Sequence, residues 1–152
     1  GGGSAGGHVA ATTGICGGLD DPSEKDSQVS SKADALLLFN PVYDNGPDGY
    51  GQSRVKDRWR EFSPMHNIRK GIPPAIVFLG TNDKLIPVST GETFRKKMRE
   101  VGSRSELFLY EDQPHGFFNF GKSGNKFYVQ TVTEMDKFLA SLGYLKGDPT
   151  VK

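Results

Sequence analysis

The chain has 152 residues, with 19 Lys and Arg against 18 Asp and Glu, a formal net charge of +1 and one cysteine, Cys16. This length favours one domain, and the balanced charge argues against a nucleic-acid or anionic-membrane partner recruited by charge. One cysteine excludes an internal disulfide and a cysteine-rich metal site, and no apolar run reaches the roughly 18 residues of a transmembrane segment. No secretory signal is visible, so the compartment stays open among secreted, periplasmic and cytoplasmic.

The apolar pattern predicts three short strands. Residues 36–39 and 75–79 are apolar throughout, and each run stops at a turn signal, the first at Asn40-Pro41. A short apolar run bounded in this way is typical of a strand buried on both faces. Residues 105–110, with the sequence SELFLY, predict the third strand.

Helices are predicted between these strands. The signals are small residues, a starting proline, a terminal glycine and an apolar stripe at helical spacing. They mark residues 5–13, a short helix from Ser63-Pro64, a helix from Pro87 to Gly102, and a last helix over about residues 126–142. Residues 20–32 are polar and predict a solvated loop, and residues 40–62 show little helical or strand periodicity.

Strands that alternate with helices predict parallel strands joined by helical crossovers. The expected fold class is therefore α/β, a mostly parallel sheet with flanking helices. We expect one domain over residues 1–145 and a flexible tail over residues 146–152. A small flavodoxin-like binding domain shares this alternation, but it needs more than three strands and does not account for the motif described next.

The segment Gly2-Gly3-Ser4-Ala5-Gly6 fits the pattern G-x-S-x-G of a nucleophile elbow. In such an elbow the serine occupies a tight strand-to-helix turn, and glycines two residues before and two after avoid steric clashes. The helix behind the serine directs free N–H groups and its positive dipole end toward the site. The alternative for this glycine-rich stretch is a flexible linker.

A serine nucleophile needs a base, and the base needs a carboxylate that orients it. Asp83 follows the predicted strand 75–79, and His115 follows the predicted strand 105–110. Both positions lie just past the carboxyl ends of strands, where open parallel sheets keep their sites. The order Ser, Asp, His is that of α/β-hydrolases.

Each of these residues also has a structural alternative. Asn82-Asp83 is good turn chemistry, and His115 in a Pro-His-Gly segment has the features of an exposed loop histidine. The other two histidines, His8 and His66, are expected to have packing, structural or solvent-facing roles. The correct order and placement of all three types together favours a catalytic triad over these separate explanations.

The segments GGSAGGHVAA, LFNPV, SPMHNI, PPAIVFLGTNDKLIPV and DQPHGFFN together resemble the C-terminal half of α/β-hydrolase esterases. The similarity is greatest to bacterial carboxylesterases of the acetyl esterase and acetyl-xylan or feruloyl esterase type. The resemblance implies that Ser4 is the nucleophile, Asp83 the acid, His115 the base and Ala5 the backbone oxyanion donor. It also implies a small-molecule or carbohydrate-linked ester substrate and no metal or organic cofactor.

Such hydrolases have a further half domain before the elbow, with the strand that leads into the serine and an HGGG-like loop that gives a second oxyanion donor. We expect both to be missing here, so that the chain is a fragment and its activity alone is in doubt. By family topology, the strand over residues 34–39 is expected beside the missing strand.

Several aromatic residues are candidates for substrate contact. The stretch from Asn40 to Phe62, which includes Tyr43, is one group, and Phe117 and Phe118 beside His115 are another. Core packing is the favoured alternative for all of them. Prolyl-oligopeptidase-like peptidases share the triad arrangement, so such a peptidase is the nearest rival function, and a non-catalytic hydrolase-like fragment is the other.

Overall fold

The computed structural model describes residues 1–21, 23 and 30–152. Its centre is a four-stranded sheet, all parallel, with the strands side by side in chain order. The strands are β1 (Gly2–Gly3), β2 (Leu36–Phe39), β3 (Ala75–Gly80) and β4 (Ser105–Tyr110). The α-helices are α1 (Ala5–Ile15), α2 (Gln52–Val55), α3 (Trp59–Phe62), α4 (Val88–Glu100) and α5 (Lys126–Ser141). Single 3₁₀ turns lie at Lys56–Arg58, Pro64–His66 and Ser123–Asn125.

Strand β3 is the centre of the core because it is buried on both faces along its whole length. Its side chains alternate between two apolar clusters, as side chains of a strand must. Val77 and Leu79 pack with α1 and α4 through residues such as Ile15 and Phe94. The opposite face belongs to a second cluster, built from Ile76, Phe78, Phe117 and Phe138.

The predicted strands and the longer helices are confirmed. Strands β2 and β4 have the predicted bounds, β3 runs one residue further, and α5 ends one residue before the predicted limit. Gly102 ends α4 with φ of +80°, a conformation that glycine adopts without a steric penalty. These segments carry long apolar runs or stripes, which burial selects directly.

Other expectations were wrong or incomplete. A strand does lead into the serine, since β1 pairs with β2 through Gly2 with Leu38 and Gly3 with Phe39. Strand β2 is only half-buried on one face, because Leu37 and Phe39 keep partial exposure. Short helices interrupt the stretch over residues 40–62, where no periodicity was visible.

Ser63 does not cap a regular helix, since only one 3₁₀ turn follows it. Its hydroxyl instead accepts the N–H of Asn45 at 3.0 Å. The predicted solvated loop falls partly on residues 22 and 24–29, which lie outside the described residues. The division into a domain over residues 1–145 and a tail stays a prediction. None of the helices in the described ranges has the length and hydropathy needed to cross a membrane.

Candidate active site

Ser4 lies on a sharp turn between β1 and α1. Its backbone has φ of 53° and ψ of −117°, a conformation that is strained for a residue with a side chain. The turn is held because the N–H of Ser4 donates to the carbonyl of Phe39 at 2.9 Å, so the end of β2 fixes it. Strain of this kind concentrates at functional positions.

The glycine before the turn is required by sterics. A Cβ on Gly2 would lie 2.5 Å from the carbonyl carbon of Gly6 and 2.6 Å from its oxygen. The expectation that the second motif glycine is equally constrained was wrong, because a Cβ on Gly6 would meet nothing within 4 Å. The constraint falls one residue later, on Gly7, where a Cβ would lie 2.9 Å from the oxygen of Gly2 and 2.9 Å from Cβ of Pro41.

Ala5 is the first residue of α1 and is exposed. The N–H groups in the first turn of a helix have no acceptor within the helix, and the helix dipole is positive at this end. The Ala5 N–H directly follows the serine, so it is available to an oxygen atom that carries developing negative charge near Ser4 Oγ.

Asp83 and His115 meet Ser4 in one hydrogen-bonded chain. His115 Nδ1 is 2.7 Å from Asp83 Oδ2, and His115 Nε2 is 2.9 Å from Ser4 Oγ. A carboxylate can only accept, so Nδ1 carries the imidazole proton and donates it to Asp83. The Nε2 lone pair therefore faces the serine hydroxyl, which is the tautomer that a general base requires.

The carboxylate of Asp83 is itself fixed. Its side chain has no exposed surface, and Oδ1 accepts the N–H groups of Leu85 at 2.8 Å and Ile86 at 3.0 Å. These two bonds occupy Oδ1 and leave Oδ2 for the imidazole. The two bonds from backbone N–H groups also hold the orientation of the carboxylate.

The loops that carry Asp83 and His115 are brought together by the sheet. Strands β3 and β4 end in register, with Gly80 opposite Tyr110. Past the strand ends, the N–H of Asn82 donates to the carbonyl of Gln113 at 3.1 Å. Only glycine fits at position 80, because a Cβ there would lie 2.0 Å from that same carbonyl oxygen.

Asn40 is a residue of this site that the sequence analysis missed. It directly follows β2, has φ of +35° and is 1% exposed. Its Oδ1 accepts the N–H of Gly116 at 2.8 Å, and its Nδ2 lies 3.3 Å from His115 Nε2. The available signal was a polar residue directly after a buried strand, at the same sheet edge as Asp83, but Asn40-Pro41 was interpreted only as a turn.

Two of the aromatic candidates, Tyr43 and Phe117, are buried. Tyr43 is fully buried and stacks on Phe94 with a centroid distance of 4.5 Å, so its ring belongs to the core. Burial raises the pKa of its phenol, and the hydroxyl has no hydrogen-bond partner among the described residues. Phe117 is 2% exposed and packs between Tyr110 and Phe127. The burial of both rings favours the core-packing alternative, and a substrate contact from either stays a prediction.

Phe118 differs from its neighbour because it is half-buried and packs on Phe39 at a centroid distance of 4.9 Å. Its ring also lies against the strand that enters the elbow, since a Cβ on Gly3 would be 3.0 Å from Cζ of Phe118. Of the three aromatic candidates, Phe118 is the one placed beside the serine turn. A substrate contact from it stays a prediction.

A cavity of about 270 Å³ lies between the loop after β2 and the loop that carries Asp83. Its walls include Pro41, Asp44, Tyr50, Leu85 and Ile86. Leu85 and Ile86 are also the residues whose N–H groups hold Asp83. Within the described ranges, no cluster of His, Cys, Asp or Glu is arranged to hold a metal ion.

The other two histidines bind parts of the scaffold. His8 Nε2 is 2.7 Å from the carbonyl of Phe62 and therefore carries the proton of that bond. His66 Nδ1 is 2.8 Å from the hydroxyl of Ser63. These contacts agree with the structural roles expected from the sequence.

The model of the dienelactone hydrolase family matches residues 42–145. The chain belongs to this family. Esterase 2 of Thermogutta terrifontis with bound propionate is a similar solved structure, with a TM-score of 0.86 and 40% identity over 97% of this chain and 56% of that one. The same esterase phosphorylated by paraoxon gives a TM-score of 0.85 at 40% identity, over 96% of this chain and 54% of that one.

Two curated relatives are more distant. A probable isoprenylcysteine alpha-carbonyl methylesterase of Arabidopsis thaliana, ICMEL1, is 27% identical in an alignment of 135 residues that covers 74% of this chain and 28% of the relative. Acylamino-acid-releasing enzyme 1 of Oryza sativa subsp. japonica is 27% identical over 59 residues, 39% of this chain and 8% of that enzyme. The family match and the esterase neighbours confirm the α/β-hydrolase fold and the resemblance to serine esterases. The chain spans about half the length of the solved structures it matches.

Proposed function

We propose that the protein is a carboxylic ester hydrolase that works through an acyl-enzyme on Ser4. The observation that supports this most is the hydrogen-bonded chain from Ser4 Oγ through the imidazole of His115 to the carboxylate of Asp83. Membership of the dienelactone hydrolase family and the esterase neighbours support the same reaction class.

In the first half of the reaction, Ser4 Oγ attacks the ester carbonyl while its proton moves to His115 Nε2. The carboxylate of Asp83 stabilises the imidazolium that forms and keeps its ring in place. The negative charge on the tetrahedral carbonyl oxygen is stabilised by the Ala5 N–H and the helix dipole. The intermediate collapses when the carbon–oxygen bond to the alcohol breaks and the imidazolium protonates the leaving oxygen.

In the second half, His115 removes a proton from water as the water oxygen attacks the acyl carbon. The new tetrahedral intermediate expels Ser4 Oγ, which takes the proton back from the imidazolium. The carboxylic acid leaves, and the resting hydrogen-bonded chain is restored. His115 therefore acts first as base and then as acid in both halves, as microscopic reversibility requires.

We propose esters of short carboxylic acids as substrates. Esterase 2 of T. terrifontis has solved structures with propionate and with butyrate bound. The cavity of about 270 Å³ next to the loop of Asp83 is lined in part by Leu85, Ile86 and Pro41, and this apolar lining suits a small acyl or alcohol group.

Substitution of the nucleophile tests the proposal. In the full-length protein, Ser4→Ala is expected to abolish hydrolysis of p-nitrophenyl acetate and labelling by a fluorophosphonate probe, because no hydroxyl remains to be acylated. Ser53→Ala is the matched control, since Ser53 is exposed on α2, and it is expected to keep both activities. Undiminished labelling of the Ser4→Ala variant would place the nucleophile elsewhere.

A peptidase is the second candidate, because acylamino-acid-releasing enzyme 1 is among the relatives. A substrate panel separates the two functions. We expect p-nitrophenyl esters to be cleaved with a kcat/KM at least about 100-fold higher than acylaminoacyl and aminoacyl-prolyl anilides, a difference of roughly 3 kcal/mol in transition-state stabilisation. A panel in which the anilides are the better substrates would favour the peptidase.

A further inference from the structure

We propose that Asn40 is a positioning residue that holds the imidazole of His115 ready for the hydrolysis of the acyl-enzyme. The inference deepens the proposed function and rests on it. Asn40 joins the loop of His115 to the end of β2 through two contacts, one to Gly116 and one to the imidazole.

The side chain of Asn40 is firmly anchored. The residue is 1% exposed, and its backbone N–H donates to the carbonyl of Phe78 at 2.8 Å. Its φ of +35° is unusual for a residue with a side chain, but asparagine tolerates positive φ better than most others. A buried polar side chain in a strained conformation is retained where its hydrogen bonds matter.

The orientation of the amide follows from its partners. The N–H of Gly116 donates a hydrogen bond to Oδ1 at 2.8 Å. Of the two amide ends of asparagine, only the oxygen can accept such a bond. The NH₂ group must therefore point at His115 Nε2, which lies 3.3 Å away. A flipped amide would set its NH₂ group against the N–H of Gly116 and lose both bonds.

The Nε2 atom therefore has two donors around one lone pair, the hydroxyl of Ser4 at 2.9 Å and the amide of Asn40 at 3.3 Å. In the resting protein the hydroxyl is the nearer donor. In the acyl-enzyme Ser4 Oγ is esterified and has no proton, so this donor is gone. Asn40 then remains to hold the Nε2 side of the ring until water arrives, while Asp83 holds the Nδ1 side.

This arrangement predicts that loss of Asn40 slows the second half of the reaction more than the first. Two variants separate the contacts. Asn40→Gly removes both hydrogen bonds and relieves the backbone strain. Asn40→Asp keeps an oxygen for the N–H of Gly116 and tolerates the backbone conformation, but it has no donor for Nε2.

The experiment is burst kinetics with p-nitrophenyl acetate on the full-length protein. We expect both variants to hydrolyse the acyl-enzyme about 10- to 100-fold more slowly, while the burst that reports acylation changes less than about threefold, because misplacement of a catalytic group costs rates of this size. If Asn40 only holds the loop through Gly116, Asn40→Asp will match the wild type, and that result would overturn the proposal. Equal slowing of both halves would overturn it as well.

A second readout does not need activity. In the Ser4→Ala protein, the ¹⁵N resonance of His115 Nε2 is expected to move downfield when Asn40→Gly is added, because the nitrogen loses its remaining donor. An unchanged resonance would show that the amide does not bind Nε2. If the wild type has no Ser4-dependent hydrolysis, the burst assay contradicts the proposed function. The ¹⁵N resonance then still tests whether the amide of Asn40 binds His115 Nε2.

Discussion

Steric exclusion and hydrogen bonds constrain both the elbow around Ser4 and the loop around His115, but in different proportions: the glycines of the elbow are supplemented by a backbone hydrogen bond of Ser4, and the hydrogen bonds of the loop by Gly80. The elbow is shaped by steric exclusion, because a Cβ on Gly2 or Gly7 would meet backbone or Pro41 atoms at 2.5 to 2.9 Å. The loop of His115 is positioned by hydrogen bonds with other segments: the N–H of Asn82 donates to Gln113, and the N–H of Gly116 donates to Asn40.

This difference explains which part of the site a sequence reveals. A steric requirement at fixed spacing leaves a row of glycines, which is visible as a motif. A loop held by hydrogen bonds depends on donors and acceptors that lie far apart in the chain, such as Gly116 and Asn40, which are 76 residues apart. A residue such as Asn40 is therefore not part of a recognisable sequence motif.

The largest expected effect is the difference in activity between substitutions of the two motif glycines, Gly2 and Gly6. Gly2→Ala must push the Gly6 carbonyl away from a Cβ at 2.5 Å, so the serine turn shifts. We expect a loss of at least about 100-fold in kcat/KM for p-nitrophenyl acetate, since displacement by about 1 Å costs this much. Gly6→Ala meets no atom within 4 Å and lies in a helix, so it is expected to raise the free energy of unfolding by about 0.5 to 1 kcal/mol. An equal loss of kcat/KM from Gly2→Ala and Gly6→Ala would contradict a steric origin of the glycine motif.

A second effect, on stability rather than on rate, distinguishes the two phenylalanines of the His115 loop. Phe117→Ala removes a ring that is 2% exposed, so the free energy of unfolding should fall by about 3 to 5 kcal/mol. Phe118→Ala removes a half-buried ring beside the elbow, and its cost should be clearly smaller, with a change in KM for p-nitrophenyl butyrate. Chemical denaturation and steady-state kinetics measure the two effects. A larger loss of stability from Phe118→Ala would reverse the assignment.

The smallest effect is a difference in alkaline stability. Burial raises the pKa of Cys16, at the end of the elbow helix α1, from 9.0 to about 11, although Arg69 and Thr12 oppose the rise. Burial, with a smaller contribution from Glu134, raises the pKa of Tyr110, which packs on Phe117, from 10.0 to about 12. Both groups are held neutral in the folded state, so their contributions are complete below their ordinary pKa values and are lost as the pH rises through the raised ones.

Stability should therefore begin to fall above about pH 9 through Cys16 and above about pH 10 through Tyr110. Urea unfolding between pH 8 and pH 11 measures this slope. Cys16→Ala is expected to remove the fall in stability that begins above about pH 9, and Tyr110→Phe the fall that begins above about pH 10. A stability that is flat to pH 11 in the wild type would contradict the burial of both groups.

The sequence predicted the buried strands, the longer helices and the positions of Ser4, Asp83 and His115, because these depend on periodicity, glycine spacing and strand ends. It missed strand β1, which is two residues long and all glycine, and the short helices over residues 52–62, which have no stripe to bury. It also missed the contacts of Asn40, because these join segments that are distant in the chain.

The central claim is that Ser4 is the group that becomes acylated. It is tested most directly by treating the full-length protein with a fluorophosphonate and locating the adduct by mass spectrometry of its peptides. The hydrogen-bonded chain of Ser4, His115 and Asp83 predicts one adduct, on Ser4, that is lost when His115 is changed to Ala. An adduct on another residue, or a folded protein that remains unlabelled, would contradict it.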